Sequence, residues 1–116
     1  MKNILLFILF SSAQIVVGQM ESQSISEFIS YDSSKEILLD VRTPNEYAEG
    51  HIDGAVNIDW FSNNFNAQVA SMDKTKTIYV YCKKGGRSLK SQIRLDQLGF
   101  LHVINLDGGY DVYVQK

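Results

Sequence analysis

Apolar residues in this chain fall into short continuous runs separated by polar stretches with helical spacing. Glu36 to Val41 contains Ile37-Leu38-Leu39, a run without alternation that fits a strand buried on both faces. Thr77-Ile78-Tyr79-Val80-Tyr81 is β-branched and aromatic, as strands favour, and His102 to Leu106 makes a third such segment. Ala55 to Ile58 predicts a shorter one. Between them lie helix signals. Ser24-Ile25-Ser26-Glu27 has the spacing of a capping box and predicts a short helix with Phe28 and Ile29. Thr43-Pro44-Asn45-Glu46 repeats the signal with proline at the first helical position, and Gly50 stops the turn. Trp60 to Met72 predicts an irregular helix, rich in Asn. Ser88 to Leu98 predicts a regular one, with Leu89, Ile93 and Leu98 on one stripe and Gly99 as its stop. Asp107-Gly108-Gly109 is a turn. Strands alternating with helices predict an α/β domain with a mostly parallel sheet.

The first residues follow a different logic. Met1-Lys2-Asn3 is a short basic start, Ile4 to Phe10 is apolar, and small or polar residues follow through Val16-Val17-Gly18. That order is expected of a secretory signal peptide over residues 1–18, cut after Gly18, with a cut after Ala13 as the second choice. The apolar run is well short of the roughly 20 residues that span a bilayer, although an uncleaved anchor is the alternative. No stable membrane association is expected once the leader is removed. Export is expected, to a periplasm rather than to the medium.

With 116 residues the chain has room for one domain. Hydrophobic residues make up 45% and charged residues 21%, which excludes a disordered or multi-span membrane protein. Loss of Lys2 with the leader leaves ten basic against 13 acidic residues. One cysteine cannot form an internal disulfide, and with only His51 and His102 beside it a zinc site is excluded. No metal and no cofactor are expected. A lone thiol in an oxidising compartment is either deeply buried or has a chemical role.

Charge is distributed unevenly. Lys74, Lys76, Lys83, Lys84, Arg87, Lys90 and Arg94 fall between Lys74 and Leu95 with no acidic residue among them. Such a run is often only a solvated face, and a free cysteine is often an inert core residue. A nucleic-acid surface fits poorly, since the chain is acidic overall and the run lacks interleaved aromatics. The segment Tyr81-Cys82-Lys83-Lys84-Gly85-Gly86-Arg87-Ser88 points elsewhere. It puts a thiol at the C-terminal end of a strand, then a glycine-containing loop, then a helix, which is where open parallel sheets bind ligands. Gly85 and Gly86 free the backbone to turn N–H groups inward as an anion nest. The helix start near Ser88, with Lys83, Lys84 and Arg87, adds positive potential that favours thiolate over thiol and attracts an anionic substrate.

Three motifs resemble the rhodanese-like sulfurtransferases. Leu39-Asp40-Val41-Arg42 with Glu46-Tyr47 and Gly50-His51-Ile52-Asp53-Gly54-Ala55-Val56-Asn57-Ile58 is similar to the first signature of that family. Cys82 to Ser88 is similar to its active-site loop, and Leu106-Asp107-Gly108-Gly109-Tyr110 to its C-terminal signature. The motif match runs from Ser24 to Tyr113, within a rhodanese-like domain over residues 24–116. The resemblance implies a small parallel β-sheet flanked by helices on both faces. It implies a Cys82 nucleophile that takes a sulfane sulfur from thiosulfate or a similar small anionic donor, forms a persulfide, and passes the sulfur to cyanide or a thiol. Lys84 matches a position that is basic in thiosulfate-using members. Four residues separate Cys82 from Arg87, the sulfurtransferase loop length, where related phosphatases have five. Lys83, Lys84, Gly85, Gly86, Arg87 and Ser88 are the implied substrate-binding residues, with Arg87 chiefly bracing the loop. Asp40 and Arg42 are implied to support the site as an ion pair behind it. His51 is read as structural, and Trp60 and Phe61 as packing. Tyr113 stands where many members have Trp, so a short last helix is expected. The competing reading is a persulfide carrier or partner-docking module with little small-molecule turnover.

Overall fold

The computed structural model describes residues 20–116; the leader expected over residues 1–18 lies outside them. Five strands form one wholly parallel sheet: β1 (Glu21–Ser24), β2 (Glu36–Asp40), β3 (Val56–Asn57), β4 (Thr77–Tyr81) and β5 (His102–Asp107), in the order β1-β5-β4-β2-β3. The helices are α1 (Pro44–Glu49), α2 (Phe65–Val69), α3 (Gly86–Gln97) and α4 (Gly109–Tyr113). No helix among the described residues is long and apolar enough to cross a membrane.

Both faces of the sheet are covered, which explains the non-alternating strands. Leu39, Ile78, Val80 and Cys82 point to one side and pack with Phe65, Val69 and Leu95 of α2 and α3. Leu38, Tyr81 and Leu106 point to the other, against Ile25, Phe28, Ile52 and the tyrosines of α1 and α4. A fully buried side chain of this size stabilises the fold by about 1.5–3 kcal/mol, so loss of any central pair would be felt.

One element is added and two local expectations change. Glu21–Ser24, where no strand is predicted, is a strand, the outer neighbour of β5. The reason is tertiary, because its polar sequence carries no strand pattern. The capping box at Ser24 does not close: Ser24 Oγ accepts the Ser26 N–H at 3.3 Å, but the helix is only a 3-10 turn over Ile25–Glu27, and Ile29 is 88% exposed. Leu89 and Ile93 of α3 face solvent. The buried stripe of α3 is instead Ser88, Ser91, Gln92 and Leu95, at a helical i, i+3, i+4, i+7 spacing. Three of its four members are polar and serve as fasteners. Ser91 donates back to the Arg87 carbonyl at 2.8 Å, and Gln92 Nε2 donates to the carbonyls of Glu21 at 2.7 Å and Val103 at 3.0 Å. The α3 helix thus ties the edge strand to β5.

Replacing Gln92 by Met keeps the volume and removes both bonds. Gln92→Met is expected to cost about 1–3 kcal/mol in urea unfolding. It should speed amide exchange in β1 far more than in β4.

Candidate active site

Strand β4 ends at Tyr81, and Cys82 follows at the C-terminal edge of the sheet, 1% exposed. The chain then turns sharply. Gly85 adopts φ +126°, a conformation that favours glycine, and α3 starts at Gly86. The turn brings the Gly85 N–H to 3.0 Å from Cys82 Sγ. The thiol donates to Ser88 Oγ at 3.4 Å, and the Ser88 hydroxyl in turn donates to the Gly85 carbonyl at 3.1 Å. Sulfur therefore lies at the start of a twelve-residue helix, between a backbone donor, the Gly85 N–H, and a hydroxyl oxygen that accepts from it.

The basic residues of the loop do not converge on the sulfur. Arg87 makes a two-pronged pair with Glu46, Nη1 to Oε1 at 2.7 Å and Nη2 to Oε2 at 3.1 Å, with its guanidinium 5.4 Å from the Phe61 ring centroid. Glu46 also accepts the Thr43 N–H, completing the capping box of α1, so this one carboxylate joins α1 to α3. The Arg87 hydrogen bond holds the Glu46 carboxyl down at about 2, and Arg87 is raised in return, first by the same bond. Lys83 and Lys84 both turn to Asp111, at 2.8 and 2.9 Å.

Behind the loop, Asp40 and Arg42 are buried together. Arg42 Nη2 meets Asp40 Oδ2 at 2.7 Å and also donates to the Gly50 carbonyl at 2.7 Å. The Arg42 guanidinium lies 4.3 Å from the centre of the Tyr110 ring. Burial works against the Arg42 charge, but the Asp40 hydrogen bond and charge outweigh it and raise its pKa. Asn57 Nδ2 donates to the carbonyls of both Asp40 and Arg42, at 3.0 and 2.9 Å. His51 stacks on Tyr47 at 3.7 Å, and its Nδ1 lies 2.9 Å from the Tyr47 carbonyl. Among the described residues no group of three or more His, Cys, Asp or Glu is placed to hold a metal ion.

An open cleft of about 300 Å³ lies beside the loop, lined by Arg42, Glu46, Glu49, Gly50, Lys83, Tyr110, Asp111 and Val114. Its outer wall is α4, whose first turn seals the loop from behind. The Tyr110 N–H donates to the Cys82 carbonyl at 2.8 Å and the Asp111 N–H to the Lys83 carbonyl at 3.1 Å. Gly109 sits so close that a Cβ would fall 2.3 Å from the Lys83 oxygen. Sequence reasoning picked out Cys82, the glycines and the basic residues. It missed Asp111 altogether, and it read Glu46 as a helix cap without its partner Arg87, 41 positions away. No local signal announces either pairing.

A parallel α/β sheet with a buried thiol at the end of its central strand, facing an N–H of a glycine turn, defines a cysteine-centred α/β domain. The chain belongs to the rhodanese-like family: the family model for the Rhodanese-like domain matches residues 24–116. Among its relatives, thiosulfate sulfurtransferase 16, chloroplastic, of Arabidopsis thaliana is 36% identical over 88 residues, covering 67% of this chain and 73% of that protein. Thiosulfate sulfurtransferase PspE of Escherichia coli K12 is 35% identical over 78 residues, covering 67% and 75%. Of solved structures, SSP1007 from Staphylococcus saprophyticus superposes with a TM-score of 0.69 at 31% identity, over 81% of this chain and 93% of that one.

The Glu46–Arg87 bridge generates a pH prediction. Its carboxyl is depressed in the folded state from an ordinary 4.5, so its contribution is complete above about pH 4.5 and is lost as pH falls toward 2. The difference in unfolding free energy between wild type and Glu46→Gln should be constant from pH 7 to 5 and shrink below pH 4.5. A difference that grows on acidification would contradict it.

Proposed function

We propose that this protein is an exported thiosulfate-type sulfurtransferase working through a Cys82 persulfide. The observation that carries the reading is the contact of the Gly85 N–H with Cys82 Sγ at 3.0 Å, in a loop of sulfurtransferase length. The names of its thiosulfate sulfurtransferase relatives support the donor. The basic start and apolar run of residues 1–18 support export to a periplasm.

In the first half-reaction the Cys82 thiolate attacks the outer sulfur of thiosulfate. A new S–S bond forms to Cys82 as the S–S bond of the donor breaks, and sulfite departs with the bonding electron pair. The product is a Cys82 persulfide anion, and charge balances. In the second half-reaction cyanide or a thiolate attacks the outer persulfide sulfur. It leaves as thiocyanate or a new persulfide, and the Cys82 thiolate returns. No external oxidant or reductant is needed. Lys83 and Lys84 draw in the anionic donor, while the Gly85 N–H stabilises sulfur charge as an oxyanion hole does for oxygen, and the Ser88 hydroxyl, bonded to the Gly85 carbonyl, holds that turn in place. Gly86 lets α3 start beside the turn, Arg87 keeps α1 and α3 in register, and the Asp40–Arg42 pair supports the loop from the sheet side.

The test begins with the mature protein and thiosulfate, read by intact mass, followed by cyanide and timed thiocyanate release. Wild type is expected to gain one sulfur and turn over many times, and Cys82→Ser to do neither. Loading without turnover would replace the enzyme reading with a persulfide carrier. No loading on folded, reduced protein would refute the thiosulfate reading. Expressed with its leader in a bacterium with two membranes, the chain should appear in the periplasm with a mass that begins at Gln19. Retention in the cytoplasm at full mass would refute export.

A further inference from the structure

Lys83 and Lys84 share a single carboxylate. Lys83 Nζ reaches Asp111 Oδ1 at 2.8 Å and Lys84 Nζ reaches Oδ2 at 2.9 Å, so each oxygen of Asp111 holds one ammonium group. The three partners are not equally free to move. Asp111 is anchored by its own N–H on the Lys83 carbonyl at 3.1 Å, next to the Tyr110 N–H on the Cys82 carbonyl at 2.8 Å. Gly109 lies against the Lys83 backbone too closely for any side chain. The short Asp111 side chain therefore springs from a fixed backbone point beside the loop, whereas the long Lys84 side chain is 77% exposed and can swing. No other carboxylate bonds to either lysine among the described residues. Of the remaining acids of the adjoining cleft, Glu46 and Glu49, the first is already paired with Arg87.

We infer that Asp111 is a specificity-determining residue, an internal counter-ion that competes with the anionic sulfur donor for Lys83 and Lys84. This rests on the reading that a thiosulfate-type anion loads Cys82. The two lysines hold the Asp111 carboxyl below its ordinary range, so the competitor stays ionised across the working pH range. A donor must recruit the lysines away from that carboxylate. A dianion does so more readily than a monoanion, and abundant weakly binding anions are kept off the loop. Asp111 acts through the lysines and is not itself a catalytic residue.

The test compares wild type with Asp111→Asn under steady-state turnover with cyanide as acceptor. Thiosulfate serves as a dianionic donor and methanethiosulfonate as a monoanionic one. Removing one exposed charge close to the donor should lower KM for thiosulfate about three- to tenfold and KM for the monoanion less. The kcat should stay within about twofold, and the advantage should fade in roughly 1 M salt, where the screening length is only about 3 Å. Adding Lys84→Gln to Asp111→Asn should return KM toward the wild-type value. Asp111→Ser provides a second reading should the Asn variant lose its fold. An unchanged or raised KM for thiosulfate in folded variants, or an equal fall for both donors, overturns the inference while the sulfurtransferase reading stands. Absence of any sulfur adduct on the wild-type protein overturns both.

Discussion

Two backbone hydrogen bonds from the first turn of α4, to the carbonyls of Cys82 and Lys83, hold the Cys82 loop in shape. A loop that aims N–H groups inward must aim carbonyls outward, and those carbonyls need partners of their own. The N-terminal turn of a helix has unpaired N–H groups to supply them. The match works only because residue 109 lacks a side chain and adopts φ +71°. The C-terminal Gly-Gly pair is thus a requirement of the Cys82 loop as much as a turn in its own right, even though 26 positions separate Gly109 from Lys83 in the chain.

Once the loop is held, its charges must be accommodated. No acid lies among the seven basic residues between Lys74 and Leu95, yet three of them meet carboxylates brought from elsewhere. The compensation is of two kinds. Glu46 meets Arg87 in a fork that is mostly shielded, a geometry suited to bracing. Asp111 meets two lysines on the open rim, where each exposed pair is worth only about 0–1 kcal/mol and exchanges readily. One pairing holds elements together and the other adjusts potential, and exposure makes the difference.

The Asp40–Arg42 pair follows a harsher rule. Both side chains are almost fully buried, so the Coulombic gain is largely offset by desolvation, and an apolar pair of similar size would be about as stable. Removing one partner is another matter, costing about 3–5 kcal/mol through the stranded charge. What the pair contributes is position. Arg42 also reaches the Gly50 carbonyl and faces Tyr110, so β2, the end of α1 and α4 meet at a single guanidinium. That junction sits under the same α4 turn that caps the Cys82 loop.

The parallel α/β architecture, the central strands and the thiol loop were legible in the sequence because each rests on local chemistry. Apolar runs need two covered faces, and glycines permit the turn after Cys82. The capping box at Thr43 formed as read, since all its partners lie within four residues. The one at Ser24 did not, because the β1 ladder claims Ser24 and leaves room for only a 3-10 turn. The stripe of Leu89 and Ile93 misled for a related reason. Periodicity reports which residues share a face, and only packing decided that the serine and glutamine face lies against the sheet. Nor does a lysine beside the cysteine in sequence declare which anion it meets. Sequence determined the thiol and the turn that presents it. Tertiary structure alone decided where the charges point, because Glu46 and Asp111 reach the loop through space and not along the chain.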